Sequence, residues 1–182
     1  MTRFCENDQF HSMKRLRKCA PEQFQAFARF ERDIFKPGAL TKKEKEIIAV
    51  ALAHAIKCHY CIDVHTKKAK AHGASLEELV EAIFVVSAVE AGEVLEHTFQ
   101  AYDHFCEVAF KKGKISGELK ALIAVAAACT IQNSKHMDYY IKQALEQGAT
   151  KEQIKEAKYV ASALKAGSVY AHMVDLYESF IE

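Results

Sequence analysis

The run TKKEKEIIAVALAHAIKCHYCIDVHTKKAKAHG, residues 41–73, decides how this chain folds. It holds no proline, and no glycine before Gly73, so local sequence permits one helix of about thirty residues. The alternative is a reversal near Lys57 that lays two shorter helices antiparallel. In a straight helix Glu46 would stand about 28 Å from His65, at about 1.5 Å per residue. After a reversal Glu46 can approach His65. The sequence leaves both geometries open, but either way the segment is helical. Thr41 with Glu44 makes a capping-box pattern ahead of the apolar run. Gly73 suits the left-handed position just past a helix.

The same run begins an internal repeat. With a shift of 75 positions, IIAVALAHAI (47–56) lies over LIAVAAACTI (122–131), and VVSAVEAGEVLEH over VASALKAGSVYAH. Gly73 meets Gly148, Gly92 meets Gly167 and His97 meets His172. The match is gapless from about Thr41 to Phe105 against Ser116 to Phe180. Ser75 with Glu78 and Thr150 with Gln153 repeat the capping pattern. Residues 76–91 place Leu79, Val80, Ile83, Phe84 and Val86 at helical spacing. No stretch sustains two-residue alternation, so no sheet is expected. PEQFQAFARFERDIF (21–35) reads as a separate helix, with Pro21 at its first position and KPG (36–38) ending it. The expected organisation is an N-terminal helical extension over 1–40, a first repeat over 41–110, a linker at 111–118 and a second repeat over 116–182. Neither half is large enough to stand comfortably alone. We therefore expect one all-α domain with a pseudo-twofold.

Bulk properties narrow the function. The 182 residues are 50% hydrophobic and 27% charged, with two prolines and seven glycines, as suits a helical globular protein. The formal net charge of +1 gives no sign of nucleic acid or an anionic membrane as partner. MKRLRK (13–18) is basic but short, and reads as a solvated turn. The N-terminus has no apolar signal segment, and the two aliphatic runs are too short to span a bilayer. The expected location is the cytoplasm, where a close cysteine pair is more often catalytic or metal-binding than structural.

KCHYCIDVH (57–65) supplies such a pair. If residues 58–72 are helical, Cys58, Cys61 and His65 share one face, along with Ile62 and Ala69. Two sulfurs one turn apart, with an imidazole a turn beyond, suit a dithiol–disulfide couple. An unperturbed cysteine is about 3% thiolate at pH 7, and making thiolate the majority form takes about 2.7 kcal/mol. A helix N-terminus and a nearby histidinium can each supply part of that. Glu46, once brought near, would orient His65 as a base.

The second half offers an internal comparison. Glu46 becomes Ala121, Cys58 becomes Asn133, Cys61 becomes His136 and His65 becomes Tyr140, while Ile48 to Ala51 map onto Ile123 to Ala126. The aliphatic scaffold persists and all four polar candidates are replaced together. Other readings of the pair remain. Free cysteines are commonly buried as small hydrophobes. C-x2-C-x3-H also offers three zinc ligands, with His54 or His97 as a fourth, though no second C-x-x-C or H-x3-H exists. Covalent haem would need histidine where Ile62 stands. His97 follows the scaffold rather than the site. Cys5, Cys19, Cys106 and Cys129 have no partner at motif spacing, His59 and His72 are expected to be exposed, and Tyr177 and Phe180 fit core or subunit contacts.

Glu46, eleven residues, then CHYC, three residues and His65 resembles the signature of the AhpD-like alkylhydroperoxidases of the carboxymuconolactone decarboxylase-like superfamily. The likeness covers 41–105 closely and the second, degenerate copy more loosely. It implies an all-helical fold, a homo-oligomer (trimer or hexamer-like) and thiol peroxidase activity. Cys61 would be the attacking thiolate, activated through His65 and Glu46, and Cys58 would close a disulfide with it. No bound cofactor or metal is implied; an external dithiol donor of lipoyl or thioredoxin type would re-reduce the pair. The best-studied members carry histidine two places after the first cysteine. Here that position is Tyr60, and the imidazole of His59 is turned by about 100° on a helix. The decarboxylase branch, acting on a lactone or keto acid, is the alternative enzyme. A non-enzymatic redox-sensing oligomeric module is a third reading.

Overall fold

In a computed structural model of the chain, which describes residues 6–95, 99–132 and 134–181, the backbone reverses just after Ala55. The elements are α1 (Glu6–Cys19), α2 (Pro21–Ile34), α3 (Lys42–Ala55), α4 (His59–Ala71), α5 (Leu76–Glu93), α6 (Gln100–Phe110), α7 (Gly117–Ile131), α8 (Ser134–Glu146), α9 (Lys151–Ala171) and α10 (Met173–Ile181). No strand occurs among the described residues. Cys5, His97 and Asn133 lie outside them.

The reversal has a definite chemistry. Lys57 N–H donates to the His54 carbonyl and Cys58 N–H to that of Ala53, both at 3.1 Å, which closes α3 with a Schellman motif. Lys57 takes the left-handed conformation, φ 55°, that glycine usually fills. Its counterpart Gln132 ends α7 with φ 65°. The glycines expected as helix stops behave as such, with φ 82° at Gly73 and 94° at Gly148. All three capping boxes form at Thr41, Ser75 and Thr150.

α3 and α7 are apolar on nearly every side and buried accordingly. α4 and α5 pack on α3, and α8 and α9 on α7. The halves then cross, α5 against α7 and α9 against α3, so both feed one hydrophobic core.

Two carboxylates fasten the crossing. Glu156 on α9 accepts backbone N–H bonds from Ala39 and Leu40, at 2.9 and 2.8 Å, in the loop ahead of α3. It also pairs with the buried Lys45 ammonium at 3.0 Å. Glu81 on α5 does the same in reverse. It accepts from Lys114 and Ile115 at 2.7 and 3.3 Å and pairs with buried Lys120 at 3.4 Å. Each lysine also donates to two carbonyls, Ile34 and Lys36 for Lys45, Ala109 and Lys111 for Lys120. Gly38 and Gly113 lie where a Cβ would run into the Glu156 and Glu81 carboxylates. Burial pushes both carboxyls up, but the backbone donors and the lysines outweigh it and hold them below the usual range. These pairs carry the 75-residue correspondence upstream of Thr41.

Other expectations sort by burial. On α5, Leu79 and Val86 are buried, whereas Val80 and Phe84 at the same helical spacing face outward. His59 and His72 are exposed. Tyr177 accepts a hydrogen bond from Arg15 at 2.7 Å, and Phe180 is exposed rather than part of this chain's core. No described helix is long and apolar enough to cross a membrane.

Candidate active site

Because α3 closes at Lys57, Cys58 becomes the N-cap of α4 rather than its first residue, one place later than the sequence suggested. Its Sγ accepts the Cys61 backbone N–H at 3.2 Å. The sulfurs of Cys58 and Cys61 are joined in a disulfide, with Cα atoms 5.2 Å apart. Both therefore stand at the positive end of a helix, where the dipole favours thiolate over thiol once the bridge is reduced.

One turn further, His65 lies on the buried face of α4 with Cys61 and Ala69. The antiparallel return of α3 places Glu46 beside it. His65 Nδ1 and Glu46 Oε2 are 2.7 Å apart, with both side chains almost wholly buried. An Nδ1–H donated to a carboxylate puts the ring's basic lone pair on Nε2. The two groups that a straight helix would separate are thus in direct contact, and all four candidates, Glu46, Cys58, Cys61 and His65, come together around the start of α4.

A cavity of about 600 Å³ opens onto this cluster, walled by α2, α4 and the C-terminal part of α9. Cys61 and His65 line it, whereas Cys58, which is buried, does not. Phe24, Phe27 and Tyr170 form an aromatic wall, with Phe27 and Tyr170 stacked at 4.9 Å. Tyr60, at the departure position, is partly exposed on the rim. Burial raises the Tyr60 phenol, and so do Tyr170 and Glu31. Arg17 and the Lys68–Glu31 pair, 2.9 Å apart, supply the charge at the rim.

Sequence reasoning missed Phe35, whose ring stacks on His65 with centroids 5.2 Å apart, and the Lys68 ammonium over that ring at 5.6 Å. The signal existed. Shifted by 75, Phe35 falls on Phe110, which stacks on Tyr140, the counterpart of His65. Arg17, Phe24 and Tyr170 reach the site only through tertiary packing. His54, weighed as a zinc ligand, turns Nδ1 to the Val50 carbonyl at 2.8 Å. Among the described residues no three His, Cys, Asp or Glu side chains cluster as metal ligands. Cys19 is exposed, and Cys106 and Cys129 are partly buried.

The profile of the carboxymuconolactone decarboxylase family matches this chain twice, over residues 21–103 and 96–178, two windows offset by the same 75 residues as the repeat. The chain belongs to that family, which includes both AhpD-like peroxidases and carboxymuconolactone decarboxylases. It is 41% identical over 76 residues to "Uncharacterized protein 4 in cox locus" of Paracoccus denitrificans, covering 42% of this chain and 68% of that one. Its fold superimposes with a TM-score of 0.72 on a chain from Burkholderia xenovorans LB400, provisionally described as a gamma-carboxymuconolactone decarboxylase subunit. That alignment covers 96% of this chain and 92% of the other, at 17% identity, and speaks to fold alone.

Proposed function

We propose that the protein is a thiol-dependent peroxidase of the alkylhydroperoxidase type, working through Cys58 and Cys61. The observation that carries the reading is the 2.7 Å Glu46–His65 bond beside Cys61, in a pocket that Cys61 and not Cys58 lines. In the reduced protein His65, held by Glu46, draws the proton from Cys61. The thiolate attacks one oxygen of a hydroperoxide. An S–O bond forms, the O–O bond breaks, and the departing alkoxide takes a proton and leaves as the alcohol, with Cys61 as sulfenic acid. Cys58 then attacks the Cys61 sulfur; the S–O bond breaks, water departs and the disulfide closes. An external dithiol donor, of lipoyl or thioredoxin type, returns two electrons and two protons by exchange. The reading includes a homo-oligomer in the cytoplasm.

Tyr60 stands where the AhpD signature has histidine, so Cys58 has no imidazole of that origin. We assign its deprotonation to the α4 N-terminus, whose Cys61 N–H already points at its sulfur. A lyase acting on a lactone or keto acid is the second reading, favoured by Arg17 and Lys68 at the pocket rim as partners for a carboxylate. Peroxide consumption with a dithiol donor separates the two. Cys61→Ser should abolish it with the helical circular dichroism intact, and Cys58→Ser should leave a trappable sulfenic acid on Cys61 after one turnover. Unchanged turnover in Cys61→Ser overturns the proposal.

A further inference from the structure

The second half has lost the redox residues but kept a pocket. A cavity of about 700 Å³ opens between α6, α7 and α8, and much of its wall is the 75-residue image of the first: Tyr102 for Phe27, Phe110 for Phe35, His136 for Cys61, Tyr140 for His65. Larger side chains stand where cysteine, valine and histidine stood, yet they line the space without filling it. Its size is that of a small-molecule site.

Its chemistry differs from the first. His136, at the Cys61 position, is paired through Nδ1 with Glu93 at the end of α5, so a histidine–carboxylate pair is rebuilt from different positions. Tyr102 donates to the Ala88 carbonyl at 3.2 Å. Phe110 and Tyr140 stack nearly parallel at 6.2 Å, and Tyr139 meets Tyr140 edge-on at 5.1 Å. Burial first, and then Cys106, push the Tyr102 and Tyr140 phenols up, so both rings are uncharged at neutral pH. The Lys68–Glu31 pair of the first pocket is replaced by Gln143 and Cys106. No lysine or arginine lines this cavity among the described residues, whereas Asp103 does.

We infer that this second pocket is a ligand site distinct from the dithiol, built for a small aromatic molecule that is uncharged or cationic. Four rings offer stacking faces, the Asp103 carboxylate and the ring faces favour a cation, and among the described residues of the wall only His136, already paired with Glu93, offers an anion a basic side chain.

The test is calorimetric titration of the full-length protein with three probes of one shape: 4-methylphenol, 4-hydroxybenzylammonium and 4-hydroxybenzoate. The first two should bind at least tenfold more tightly than the benzoate. Tyr140→Leu should weaken both by at least fivefold, and Phe27→Leu in the first pocket should leave them unchanged. Tyr140 packs against the core, so a second variant guards against misfolding. Gln143→Lys restores the cation present at the equivalent position of the first pocket, and should raise benzoate affinity at least fivefold. The inference falls if no probe binds at millimolar concentration. It also falls if the benzoate binds as tightly as the phenol, if Phe27→Leu rather than Tyr140→Leu removes binding, or if Gln143→Lys leaves benzoate affinity unchanged.

Discussion

Replacing Glu46 by glutamine keeps the side-chain shape and removes its charge. Glu46 is 3% exposed and its carboxylate is bonded to His65 Nδ1 at 2.7 Å, so the change falls on one buried contact. A hydrogen bond to a charged partner contributes about 1.5–3 kcal/mol, and a neutral one about 0.5–1.5 kcal/mol. The imidazolium formed when His65 takes the Cys61 proton therefore loses about 1–1.5 kcal/mol of support. That corresponds to roughly a five- to fifteenfold fall in thiolate-dependent rate. The measurement is alkylation of reduced Cys61 by iodoacetamide across pH 5–9, with Cys58 changed to serine so that one site thiol reports, alongside peroxide consumption by the protein with Cys58 intact. Both rates should fall together in Glu46→Gln, and the alkylation profile should move to higher pH. An alkylation profile that superimposes on that of the parent would refute the relay.

Lys57→Gly should stabilise the fold by about 1 kcal/mol in urea denaturation, because it relieves a left-handed conformation that costs a side-chain-bearing residue about that much. Glu156→Gln should destabilise by about 3 kcal/mol, since it leaves the buried Lys45 ammonium without its carboxylate. The folded pKa of Glu81 and Glu156 is depressed, so their contribution is fully present above about pH 4.3 and is lost as pH falls through the folded value. Acid titration of stability should consequently be shallower in Glu156→Gln than in the parent protein.

The helical architecture was legible because its signals are local. Capping boxes at Thr41, Ser75 and Thr150 and glycine stops at 73 and 148 need only a few neighbouring residues. The reversal at Lys57 was not, because lysine carries no turn signal. The left-handed conformation is imposed by burial of α3 on one side and of Cys61, His65 and Ala69 on the other. The spacing around Cys58, Cys61 and His65 pointed to one cluster, but Glu46 joined it only on the condition that the chain turned back. Phe35 and the aromatic wall of Phe24, Phe27 and Tyr170 were hidden for another reason. They come from α2, its C-cap and α9, and repeat matching that began at Thr41 stopped short of the first two.

The crossed carboxylates have a consequence for how the molecule holds together. Glu81 secures the loop that introduces α7, and Glu156 the one that introduces α3, so each half completes a structural element of the other. Two separate copies of such a unit would have to meet by diffusion, and their union would weaken on dilution. The covalent tether replaces that bimolecular encounter with a fixed effective concentration, so this pairing of halves does not depend on how much protein is present.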